Sequence, residues 1–195
     1  MRRLLIRSAA LLALAFSLTA GATGAAPTAT QPSRVDPEGN VVTATYEGQP
    51  IDPVQASHYF CHTRDYPVVR CFATQAEVDQ DLGLVEPAAA GNTSVRGASL
   101  QGRFTPDWSG GAYTIAYWDI NYNGSALTIY GALSSLAILG WNDAVSSIKA
   151  VNCGIPRYFV DISYGGYYWQ NGCNVWSSSL ASYNDTFSSV INEAP

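Results

Sequence analysis

The chain has 195 residues, 47% of them hydrophobic and 13% charged, with a formal net charge of −5 at neutral pH. Its basic residues include a single lysine, Lys149, and form no stripe that could follow a phosphate backbone, which argues against nucleic acid as a partner. No segment is apolar over the roughly 20 residues that a membrane-spanning helix needs.

The first 26 residues read as a secretory signal peptide. Arg2, Arg3 and Arg7 precede an apolar run from Ala9 to Phe16, and Ala20-Gly21-Ala22 supplies a small-residue cleavage pattern. The expected location is therefore extracellular, and losing those three arginines takes the net charge from −5 to −8. Residues 27–45 are rich in Pro, Thr, Ala and Gly without apolar periodicity, which predicts a flexible linker. Residues 46–97 form the next expected unit. Tyr59-Phe60-Cys61 and Val68-Val69-Arg70-Cys71-Phe72 are strand-like runs around a Pro-containing turn, which predicts a hairpin. Thr74-Gln75-Ala76-Glu77 fits a capping box and predicts a short helix ending near Gly83; residues 87–97 are small and polar, as a connector would be. Four cysteines in an exported chain predict two disulfides, and of the three pairings the spacing favours Cys61 with Cys71 and Cys153 with Cys173.

Residues 98–195 are expected to form an all-β domain, because two words each occur twice at one offset. Asp119-Ile120-Asn121-Tyr122-Asn123-Gly124 returns as Asp161-Ile162-Ser163-Tyr164-Gly165-Gly166, and Asn142-Asp143-Ala144-Val145-Ser146-Ser147 returns as Asn184-Asp185-Thr186-Phe187-Ser188-Ser189. Both shifts are 42 residues, so a structural unit is duplicated. Short β-branched and aromatic runs at residues 113–118, 126–130, 147–151, 157–160 and 167–170, separated by Gly, Asn, Asp and Pro, supply strands for a β-sandwich. A unit of this length can hold four antiparallel strands, and two units can bury their inner faces against each other.

Together the two words resemble the βγ-crystallin Greek key motif over residues 113–191, and the second is similar to that family's calcium-binding signature, (Asn or Asp)-(Asn or Asp)-x-x-(Ser or Thr)-Ser. The resemblance implies a two-Greek-key β-sandwich holding Ca2+ at crossed sites, where one loop gives a side-chain oxygen and a carbonyl and its partner loop gives a hydroxyl. Carried onto this chain, it implicates Asn142, Asp143, the carbonyl of Ala144 and Ser146, with Asn184, Asp185, the carbonyl of Thr186 and Ser188; the carbonyls of Trp118 and Val160 complete the sets. The chemistry agrees, since calcium takes carboxylate, carbonyl and hydroxyl oxygens. With one carboxylate per loop, affinity belongs at roughly 10⁻⁶ to 10⁻³ M.

The competing reading treats both loops as Asx turns, with Ser147 and Ser189 filling tight corners. Catalysis has less support. His58 and His62 read as surface residues of the hairpin, Asp119 and Asp161 as equivalent turn positions, and there is neither a Gly-x-Ser-x-Gly word nor a phosphate loop. The expected protein is non-catalytic. Its alternatives are a protease inhibitor or a toxin against a competitor cell, as in similar secreted bacterial proteins, or a carbohydrate-binding module with Tyr167, Tyr168, Trp169 and Trp176 as platform.

Overall fold

Thirteen strands and one α-helix form within residues 31–84 and 111–193, the parts described by a computed structural model of the chain. The predicted signal peptide, the start of the linker and the connector at 87–97 lie outside the described residues. The first half carries β1 (Ser33–Val35), β2 (Val41–Tyr46), β3 (Gln49–Ile51), β4 (Phe60–Asp65), β5 (Val68–Phe72) and α1 (Gln75–Asp81). The second half carries β6 (Tyr113–Asp119), β7 (Asn123–Ile129), β8 (Ala132–Leu133), β9 (Ser147–Val151), β10 (Ile155–Phe159), β11 (Tyr168–Gln170), β12 (Trp176–Ser177) and β13 (Ser189–Glu193).

These strands make an all-β sandwich. Among the described residues, one sheet has nine strands in the order β1-β2-β5-β4-β7-β6-β9-β12, with β3 on β2, and the other has the order β11-β10-β13-β8. Each repeat sends one strand to the opposite sheet: β8 leaves β6, β7 and β9 to pair with β13, while β12 leaves β10, β11 and β13 to pair with β9. The period-two alternation of the strands explains the core between the sheets. Leu127, Ile129 and Ile148 point inward from the larger sheet and meet Leu133, Tyr158 and Val190 of the smaller, all essentially without solvent exposure.

Two expectations about the first half need correction. Residues 31–45 are not a flexible linker: β1 and β2 form there, because Val42 and Ala44 are fully buried and β2 runs parallel to β5. Their connecting turn is held by Asp36, whose carboxylate accepts from the Asn40 backbone N–H at 2.7 Å and the Asn40 amide at 2.8 Å. Nor does a boundary at 97/98 separate the described residues. β4 pairs in parallel with β7, so both halves share one sheet and one core. Local patterning carries no signal for such a pairing between distant segments.

The cysteine pairing and the helix cap are as expected. Cys61 faces Cys71 across β4 and β5, and both cysteine pairs, Cys61–Cys71 and Cys153–Cys173, are joined. Thr74 caps α1, accepting from the Glu77 N–H at 3.3 Å while the Glu77 carboxylate accepts from the Thr74 N–H at 2.8 Å. His62, in contrast, is not a surface residue. It is 1% exposed beneath α1, and the ring reaches the Asp81 carboxylate at 2.8 Å.

Candidate metal centre

The duplication is visible as hydrogen bonds that repeat 42 residues apart. Ser147 Oγ donates to the Asp119 carbonyl at 2.7 Å and accepts from the Tyr122 N–H at 3.0 Å; Ser189 Oγ donates to the Asp161 carbonyl at 2.6 Å and accepts from the Tyr164 N–H at 3.0 Å. Each serine fastens the end of one word to the turn of the other. These turns need the fastening, since Asn121 and Tyr122 (φ 58° and 62°) and Ser163 and Tyr164 (φ 53° and 62°) sit in the left-handed region, costly for residues with a Cβ.

The Asn-Asp loops of the two repeats also lie against each other. The Asp143 N–H donates to the Phe187 carbonyl at 3.0 Å, and the Asp185 N–H donates to the Val145 carbonyl at 3.2 Å. Asp143 and Asp185 have φ of 53° and 55°, and each carboxylate accepts from the neighbouring Asn142 or Asn184 amide at 2.6 Å. The decisive contact crosses between repeats: Ser146 Oγ donates to Asp185 Oδ1 at 2.9 Å.

Around that contact lies an open concavity of about 460 Å³. Of the sequence-predicted residues it gathers Trp118, Asp143, Ala144, Ser146, Asn184 and Asp185, with Asp119 and Ile120 beside them. Asn142, Val160, Thr186 and Ser188 are not among its walls. Thr186 instead donates its hydroxyl to the Tyr183 carbonyl at 2.8 Å, and Ser188 uses its backbone, donating to the Phe159 carbonyl at 2.8 Å and accepting from the Leu136 N–H at 2.7 Å. Sequence reasoning missed Asp119 and Ile120 as walls of the concavity; their place immediately after Trp118 in the first repeated word was the available signal.

The donor set suits a hard cation. Three carboxylates, those of Asp119, Asp143 and Asp185, line the concavity together with a hydroxyl and an amide, and no Lys or Arg lies among them. The Asn184 Oδ1 is buried without a hydrogen-bond partner among the described residues, an oxygen with a lone pair to give. Among the described residues no three His, Cys, Asp or Glu side chains converge on one point, so a metal here would draw on carbonyl and hydroxyl oxygens as well. Calcium, which takes about six to eight oxygens of mixed type in flexible geometry, matches such a set better than zinc does.

No protein-family profile matches the chain, and no curated protein is significantly similar to it. Solved structures of βγ-crystallin domains are similar to it. One from an archaeon has 29% identity over 42% of this chain and 98% of its own length, with a TM-score of 0.38. One from Ciona intestinalis has 27% identity over 42% of this chain and 99% of its own, with a TM-score of 0.38, and a domain from Clostridium beijerinckii has 21% over 43% and 99%, with a TM-score of 0.37.

The aromatic platform is not formed. Tyr168 and Trp169 belong to β11 in the smaller sheet, Trp176 belongs to β12 in the larger, and Trp169 packs against Tyr158 and Phe187 of the core.

Proposed function

We propose that this is a secreted, non-catalytic calcium-binding protein of βγ-crystallin-like, two-Greek-key architecture, stabilised by Ca2+ at its crossed loops. The observation that carries the reading is the Ser146–Asp185 contact, which brings a hydroxyl of one repeat to the carboxylate of the other inside a concavity free of basic side chains. In the first site Asp185, Ser146, the Ala144 carbonyl and a carbonyl near Trp118 would hold the ion, the loop carbonyl coming from the same loop as the hydroxyl and not, as the resemblance implies, from the loop of the carboxylate. The second site would use Asp143, Ser188, the Thr186 carbonyl and a carbonyl near Val160. The exchange of β8 and β12 between sheets supports the Greek key reading, because it gives each repeat one strand that returns across the sandwich. The two joined cysteine pairs agree with an oxidising, extracellular setting.

An ion held between loops of both repeats binds the folded chain and finds no preformed site in the unfolded one, so calcium is expected to raise the melting temperature. At concentrations about 100 times Kd, one site contributes about 2.7 kcal/mol. Melting curves in chelator and in millimolar calcium, with titration calorimetry, are the test. Asp143→Ala and Asp185→Ala should each weaken one site, the double variant should lose most of the shift, and magnesium should substitute poorly because it keeps its waters and demands octahedral geometry. Superimposable curves with no heat of binding would leave the loops as structural turns and would favour an inhibitor or toxin acting on a protein target.

A further inference from the structure

The outer face of the larger sheet, turned away from the smaller one, carries a second apolar cluster built on Tyr113, Ile115, Tyr117, Ala126 and Val151. Beside it is a cavity of about 130 Å³ between α1 and the sheet, with Gln75 and Asp79 on the helix side and Tyr117, Lys149 and Trp176 on the sheet side. Lys149, the chain's single lysine, is half-buried there. Its Nζ lies 4.6 Å, 4.9 Å and 5.2 Å from the ring centroids of Tyr122, Trp176 and Tyr117, each within cation–π reach. Among the described residues no carboxylate is within ion-pair distance of it.

The polar groups facing this space are underused. Gln75 donates its amide to Asp79 Oδ1 at 2.9 Å, which leaves Gln75 Oε1 buried and without a hydrogen-bond partner among the described residues. Burial raises the Asp79 carboxyl and lowers the Lys149 ammonium from their ordinary ranges, as expected where water is scarce. The fold does not require a lysine in this place. In the second repeat the equivalent ring pair, Phe159 and Tyr164, has nearly the same geometry (5.9 Å, 67°) as Tyr117 and Tyr122 (5.6 Å, 66°), yet the residue 42 positions after Lys149 is Ile191.

A strong cationic donor, an open amide acceptor and a carboxyl group together match a ligand whose own groups both donate and accept, as sugar hydroxyls do. Trp176, on the edge strand and 57% exposed, adds an indole against which the C–H face of a sugar ring can lie. A simple anion would meet Asp79, and an apolar ligand would leave Lys149 and Gln75 Oε1 buried and unpaired. At about 30 Å³ per water, the volume equals about four waters, well short of the roughly 300 Å³ at which pockets for drug-sized molecules begin. It admits one edge of a single ring, the rest of which would lie outside against Trp176, and not the interior of a chain. We propose that this cavity binds the terminal ring of a glycan, with Lys149 and Gln75 bonding its hydroxyls and Trp176 packing on its C–H face.

The site is separate from the Asn-Asp loops, so its test is independent of calcium. The mature chain would be titrated in chelator with the methyl glycosides of glucose, galactose, N-acetylglucosamine and glucuronic acid, following tryptophan fluorescence and titration heat. Saturable binding of at least one, with Kd on the order of 1 mM, is expected. Lys149→Met and Trp176→Ala should each weaken it by about tenfold or more, while Val35→Ala, on exposed β1, should leave it unchanged. Gln75→Leu removes only the open acceptor and serves if Lys149→Met does not fold. No saturation with any of the four glycosides, or binding unaltered in the folded variants, would overturn the proposal.

Discussion

Ser146 and Ser147 are neighbours with opposite work. Ser146 sends its hydroxyl across to Asp185 in the candidate metal centre, whereas Ser147, fully buried, spends both hydrogen-bonding roles on the turn at Asp119 and Tyr122. Removing Ser147 Oγ strands a backbone N–H and a carbonyl and frees a tyrosine held at a φ of 62°. Ser147→Ala is therefore expected to destabilise the protein by about 2 kcal/mol, alike in chelator and in calcium. Ser146→Ala should instead leave the stability in chelator within about 1 kcal/mol of the parent and weaken the calcium-dependent shift. Urea unfolding in both buffers checks the pair, and equal behaviour of the two variants would remove the distinction. The turn glycine belongs to the same device: at Gly124, with φ of 75°, an added Cβ would come within 2.8 Å of Asp119 Oδ2 and 3.1 Å of Trp118 Cβ. The repeated Tyr-x-Gly word thus records a backbone constraint, while the fifth residue of the first Asn-Asp word sends its hydroxyl across to the other repeat.

At the scale of elements, α1 is fixed to the outer face of the larger sheet through His62. The backbone N–H of Arg64 donates to Nδ1 at 3.4 Å, so Nε2 carries the proton and donates to Asp81 at 2.8 Å, with Arg70 bridging Asp81 and Asp65 at 3.5 Å and 3.2 Å. Burial pushes the imidazole below its ordinary value, against the opposing pull of Asp81. The folded chain therefore resists protonation that the unfolded chain accepts. Stability from this group is complete above about pH 6.5, the unfolded value, and declines as the pH falls below it. Urea unfolding at about pH 7.5 and at about pH 5 is expected to give a larger loss for the parent than for His62→Gln; parallel losses would show that His62 does not titrate on unfolding. The helix and its cap at Thr74 were legible because a capping box is a local pattern of four residues. The burial of His62 was not, since it depends on α1 folding back over β4, and nothing in the run from His58 to His62 encodes what will cover it.

For the whole molecule, the 42-residue offset identified the duplicated half and concealed how far the sheet extends beyond it. Residues without a repeat partner looked peripheral, yet β4 closes the edge of β7 in parallel, and Val42, Ala44, Cys61 and Val69 share a core with Leu127, Leu136 and Trp141. Further bonds cross the same seam: Ser125 Oγ donates to the Ser57 carbonyl at 2.6 Å and the Tyr130 N–H donates to Thr63 Oγ1 at 3.1 Å. An isolated second half would present β7 as an open edge, with unpaired N–H and C=O groups available to another chain, and would uncover the apolar residues that β2, β4 and β5 now bury. Residues 31–193 should accordingly melt in one calorimetric transition. A fragment of residues 111–195 should melt at a lower temperature and self-associate, as read by size-exclusion chromatography with light scattering. If that fragment were monomeric and melted with the parent, the pairing of β4 with β7 would add nothing to the stability of the repeats, and the N-terminal strands would be an appendage after all.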